Sequence, residues 1–153
     1  MSGIRRKTRS GIETKMPSLR ATKQQVQILA FDTAGCGGSD VDRVILEVRN
    51  PWMHVSATKT HRDFLASLGS DKYDLVVMTD SGMNLIEVVE LSEHVRHTQP
   101  KATVILISKE PRKINFVDHN WHLGLVPGGE NPYQHMIGFI TKIAERMRGP
   151  QTV

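Results

Sequence analysis

Apolar and polar positions alternate along this chain in two periods. Short continuous apolar runs, VQILAF (26–31), YDLVVMT (73–79) and ATVILIS (102–108), read as strands buried on both faces, and MHVSA (53–57) as a weaker edge strand. Between them lie stripes with helical spacing. The first starts at Ser39, with Asp42 as capping-box acid and Val41, Val44, Ile45 and Val48 on one side, and stops at Asn50-Pro51. The second has Thr60 and Asp63 at its start and Phe64, Leu65 and Leu68 inward, ending near Gly69. The third carries Leu85, Val88, Val89, Leu91 and Val95. The pattern further predicts a short helix over 110–120 with Ile114 and Val117 inward, and a fifth strand, HLGLVP, over 122–127. The final helix is the best delimited. Asn131 caps it, Pro132 takes its first turn, and Tyr133, Met136, Ile137, Ile140, Ile143 and Met147 follow one face to Gly149-Pro150.

Five strands alternating with five helices through short loops predict an α/β fold, a parallel sheet with helices on both faces and right-handed crossovers. Five units are too few for an eight-stranded barrel. The economical strand order is 2-1-3-4-5, flavodoxin-like. It places any site at the carboxyl ends of the strands, where the order reverses. There the sequence holds Asp32, Thr33, Thr79, Asp80 and Ser81, with Ser108 and Lys109 beside them.

Composition refines this picture at one end of the chain. Of 153 residues, 39% are apolar and 24% charged, which fits one domain, residues 26–148. The formal net charge of +4 conceals an asymmetry. Residues 1–25 carry seven basic groups, among them Arg5, Arg6, Lys7 and Arg9, against Glu13 alone, so the rest of the chain is slightly acidic. So few apolar residues cannot offset the entropy of ordering, and 1–25 is expected to be a flexible basic tail. The tail could add solubility, meet an acidic protein partner or hold nucleic acid, and its Arg-rich, acid-poor character also suits a targeting segment. A single cysteine excludes an internal disulfide, and no apolar run is long enough for a membrane span, so a cytoplasmic location is the expectation.

The layout of 26–148, above all ILAFD, DLVVMT and VILIS, resembles the receiver domain of bacterial response regulators, CheY-like proteins. The resemblance implies a pair of acids after strand one, a phospho-accepting Asp ending strand three, a hydroxyl ending strand four and a Lys ending strand five. These groups serve phosphoryl transfer to a carboxylate with help from a divalent metal. Asp32 matches the first acid, but Thr33 stands in place of the second. Thr79 falls at the acceptor position, with Asp80 one residue late. Ser108 matches the hydroxyl. The strand-five Lys is replaced by Val126, Pro127 or Gly128, and Lys109 is the one nearby substitute. The expected protein is therefore a pseudo-receiver, a non-enzymatic signalling or scaffold module without catalytic residues, cofactor or metal. An atypical acceptor at Asp80, brought in by a strand bulge, is the alternative. The resemblance also implies that the face of helix four, strand five and helix five meets protein partners or a second copy. Asn115, Trp121, Tyr133 and His135 are its candidates, Trp121 either as an aromatic anchor for a partner or as a cap on the sheet.

Two other chemistries stay open. The loop AGCGGSD, with Gly35, Gly37, Gly38 and Ser39, is a candidate anion site for a nucleotide or phosphate metabolite at a helix start. It lacks the Gly-Lys-Ser/Thr ending of a P-loop and has Asp40 where G-x-G-x-x-G needs Gly. Cys36 and Arg43 are one residue too far apart for a low-molecular-weight phosphatase, and Ala34 stands where a cobalamin signature needs His. The pairs His94/His97 and His119/His122 have metal-ligand character but lack a third ligand in the pattern, so no metal site is expected.

Overall fold

A computed structural model describes residues 25–31, 50–80 and 82–149 of the chain. The tail (1–24), the Asp32–Thr33 pair, the glycine loop and the helix expected from Ser39 lie outside the described residues.

The sheet has five parallel strands, β1 (Val26–Phe31), β2 (Met53–Thr58), β3 (Leu75–Thr79), β4 (Thr103–Ser108) and β5 (His119–His122), of which the apolar runs supply β1, β3 and β4. They are ordered β2-β1-β3-β4-β5, the order the alternation predicts. Ile28 pairs with Val55 on one side and Leu75 on the other, and Ile107 lies between Thr79 and Trp121. Because successive side chains leave opposite faces of a strand, β3 feeds two cores. Leu75 and Val77 join Ile105, Ile107 and Trp121 beneath helix α3 (Pro132–Arg148), which contributes Met136, Ile137, Ile140 and Ile143. Val76 and Met78 join Leu29, Phe31, Val104 and Leu106 beneath α1 (His61–Ser70) and α2 (Leu85–Thr98). A strand buried on both faces needs the unbroken apolar run that made it legible.

Each helix begins on a side-chain cap that holds an otherwise unbonded N–H. Thr60 accepts from the Asp63 amide (3.1 Å), and Asn131 accepts from the amides of Tyr133 (2.9 Å) and Gln134 (3.3 Å) with Pro132 in the first turn. Asn84 and Glu87 close a reciprocal capping box that the sequence reading missed. Gly149, at φ 79°, ends α3 in a backbone region open to glycine.

Three expectations are corrected. Residues 109–118 form no helix. Here the Arg112 amide donates to Asn120 Oδ1 (2.7 Å), Asp118 Oδ2 accepts from the Val104 amide (2.8 Å), and Arg96 grips Asp118 (2.8 Å). These ties hold the crossover against the sheet, although Ile114 and Val117 still point inward as expected. The fifth strand is His119–His122, three residues earlier than HLGLVP predicts, and Leu123–Leu125 turn in a 3₁₀ helix with both leucines exposed. An edge strand needs only one inward residue to join the core, and Trp121 supplies it. Leu85 is 55% exposed, because the buried stripe of α2 is Val88, Leu91 and Val95.

Candidate functional site

The carboxyl ends of β3, β4 and β5 meet the amino end of α3, so the residues singled out there can be followed one by one. Thr79 continues the Leu75–Val77 side of β3, toward α3. It is 4% exposed, and its Oγ1 finds no hydrogen-bond partner among the described residues. A buried hydroxyl without a partner costs about 1–3 kcal/mol. Thr79→Val, which keeps the shape and removes the hydroxyl, is expected to raise stability by about 1–2 kcal/mol. A denaturant midpoint that falls in this variant would show that the hydroxyl is bonded in solution.

Asp80 does not enter the same space by a bulge. The β3–β4 register runs unbroken through Thr79–Ile107, and the Asp80 amide adds one further bond to Ile107 O (3.2 Å). Its carboxylate accepts from Arg112 Nε at 3.3 Å, and its carbonyl accepts from the Met83 amide as the chain turns into α2. Arg112 is a site residue that sequence reasoning missed. It lies 32 residues from Asp80 and no local spacing connects them.

Ser108 is buried on the opposite side of the sheet from Thr79, with Val104 and Leu106. Its hydroxyl donates to Glu110 O (2.7 Å) and accepts from Asn120 Nδ2 (2.9 Å). A hydroxyl engaged twice is part of the crossover's structure. Lys109 is exposed, and the residue facing Ser108 across the ladder is His122. The strand-five position sought at Val126 to Gly128 thus falls at His122–Leu123, where there is again no Lys. Asp32, Thr33, Gly35, Gly37, Gly38 and Ser39 lie outside the described residues, as do Ser81 and the tail arginines.

The expected interaction face changes most. With no helix between β4 and β5, it reduces to β5, the 3₁₀ turn and α3. Trp121 is only 4% exposed and donates its indole N–H to His135 Nδ1 (3.0 Å), which places the His135 proton on Nε2. It is a core residue of the sheet edge and not an exposed anchor. Tyr133 and His135 lie beside it, half-buried, whereas Asn115 is exposed next to Ile114, whose side chain belongs to the opposite core.

Of the histidines, His94 and His97 bond within α2, to Thr98 and to the Glu93 carbonyl. His119 meets the Phe139 ring edge-on, and the His122 Nδ1 is buried with no bond among the described residues. No group of three metal-ligating side chains occurs among the described residues. A raised pKa belongs to Tyr73, at the far end of the sheet, where burial and then the Asp71 charge disfavour its phenolate.

Among the described residues no helix is long and apolar enough to cross a membrane. The sequence matches no protein-family model and no curated protein. The fold does match solved structures. A CheY-like receiver domain protein from Methanospirillum hungatei aligns at TM-score 0.58 and 19% identity, over 80% of this chain and 97% of that one. The response regulator TrrA of Thermotoga maritima, solved with Mg2+ and BeF, aligns at 0.53 and 17%, over 78% and 99%. The regulator DrrB of Thermotoga maritima aligns at 0.54 and 16%, over 82% of this chain and 55% of the longer DrrB chain. The strand order, the two-faced core and these alignments together show that the chain has the fold of a response-regulator receiver domain.

Proposed function

We propose that this chain is a receiver-like signalling module that acts by binding protein partners and is not switched by aspartyl phosphorylation. The observation that carries the reading is the end of β3, where the family's acceptor carboxylate would stand. Thr79 occupies that position in an unbroken register, and the next carboxylate, Asp80, is held by Arg112. The hydroxyl of Ser108 is bonded within its own crossover, and β5 ends without a Lys. Phosphoryl transfer to a carboxylate needs a free acceptor, a metal held by oxygen ligands and a cation over the product; these residues leave the first unfilled, and β5 supplies no Lys for the third. The module is non-enzymatic, and its partner surface is the β5–α3 edge, where Leu123 and Leu125 are exposed beside Tyr133 and His135. Residues 1–25 add electrostatic attraction for an acidic partner.

The test is intact-protein mass after incubation with Mg2+ and acetyl phosphate, on wild type and on Asp80→Asn. No phosphoryl increment is expected on either. An increment on wild type that disappears in Asp80→Asn would make Asp80 a working acceptor and overturn the reading.

A further inference from the structure

Between the carboxyl ends of β3–β5 and the start of α3 lies a cleft of about 270 Å3. Its walls are Ile107, Trp121, Leu123, Pro132, Tyr133 and Met136, apolar or aromatic throughout. Thr79, Asp80, Ser108 and Lys109 complete its lining. Thr79 Oγ1 is buried there without a partner among the described residues, Lys109 stands at the rim, and Asp80 reaches the margin with its charge balanced by Arg112. Thr79 pairs with Ile107, and Lys109 follows Ile107 by two residues on the same face. A strand rises roughly 3.3 Å per residue, so the Lys109 backbone lies about 7 Å further along this wall than Ile107. An apolar pocket with a few convergent polar groups is the usual form of a small-ligand site, and this one lies just under the roughly 300 Å3 at which drug-sized ligands begin.

We infer that this cleft binds a small aromatic carboxylate, its ring system against Trp121, Tyr133 and Met136 and its acidic end between Lys109 and the Thr79 hydroxyl. The net charge of the polar groups selects the occupant. With Asp80 neutralised by Arg112, Lys109 leaves the rim positive, and a planar ring suits aromatic walls better than a branched chain does. A bound acceptor would also use the hydroxyl that has no partner among the described residues. The inference rests on an unphosphorylated Asp80 paired with Arg112, which the acetyl phosphate experiment reports separately.

The test uses the full chain with 2-naphthoate and its neutral, near-isosteric amide, 2-naphthamide, followed by amide and indole NMR shifts. For a ligand of this size the naphthoate dissociation constant is expected on the order of 0.1–1 mM. Shifts should centre on Thr79, Lys109 and the Trp121 indole N–H, with naphthoate bound about 3- to 5-fold tighter than the amide. Lys109→Ala should erase that difference. Thr79→Val should weaken naphthoate about 3- to 10-fold while stabilising the free protein, opposite directions that a folding defect would not produce. Equal binding of acid and amide, or shifts centred elsewhere, would overturn the inference. So would an unchanged preference for the acid in Lys109→Ala, and no binding at millimolar ligand would do the same.

Discussion

Trp121→Ala is expected to lower stability by about 3–5 kcal/mol, close to the upper end for a single truncation. The indole is 4% exposed, pairs across the ladder with Ile107 and packs with Met136 and Ile140 in the core beneath α3. Truncation opens a cavity at the sheet edge, where β5 is four residues long and Trp121 is its one buried residue. It also removes the donor to His135 Nδ1. Trp121→Phe should restore most of the buried area but not that bond, and so cost about 1–2 kcal/mol. Urea unfolding of the three proteins decides the matter. An exposed contact residue would change stability by less than about 0.5 kcal/mol in either variant, and that outcome would return Trp121 to the role of partner anchor.

Gln99→Leu should cost about 2–4 kcal/mol although it keeps the volume and raises the hydrophobicity. Gln99 is 8% exposed at the carboxyl end of α2. Its amide nitrogen donates to Leu68 O (2.9 Å) and Asp71 O (2.6 Å), and its Oε1 accepts from the Tyr73 amide (3.1 Å). One side chain thus joins the end of α1, the approach to β3 and the exit of α2. Leucine can make none of these bonds and leaves three backbone groups unpaired, each worth about 1 kcal/mol. The adjoining cleft, lined by Leu68, Asp71, Tyr73 and Gln99, admits water and keeps the cost below that of a sealed site. Faster hydrogen exchange at Tyr73, together with a lower midpoint, is the expected signature. An unchanged midpoint would mean that water replaces the glutamine without loss.

These two residues differ in how far the sequence could reveal them. Trp121 was legible as either a partner anchor or a cap on the sheet, and the sequence could not choose, because HNWH is a polar run in which only one residue points inward. The same polarity hid β5 and moved the expected strand onto Leu123 and Leu125, apolar residues that the structure leaves in the open. Gln99 gave no signal, since a buried glutamine is specified only by the carbonyls that surround it. Asp80 and Arg112 are similar, as each is an ordinary charged loop residue until the crossover brings them together.

What the sequence determined by itself is the alternation. VQILAF, LVVMT and TVILIS are buried on both faces and are therefore mostly apolar, while Thr60 and Asn131 announce their helices because capping is a contact within a few residues. From those local facts the strand order follows by topology. Only the tertiary structure decided that 109–118 would be held by Arg96, Asp118 and Asn120 in place of a helix, that Thr79 and Ser108 would face opposite sides of the sheet, and that a cleft would open beside Thr79. Each of these depends on groups far apart in the chain, whose pairing energies appear only when folding has removed the water between them.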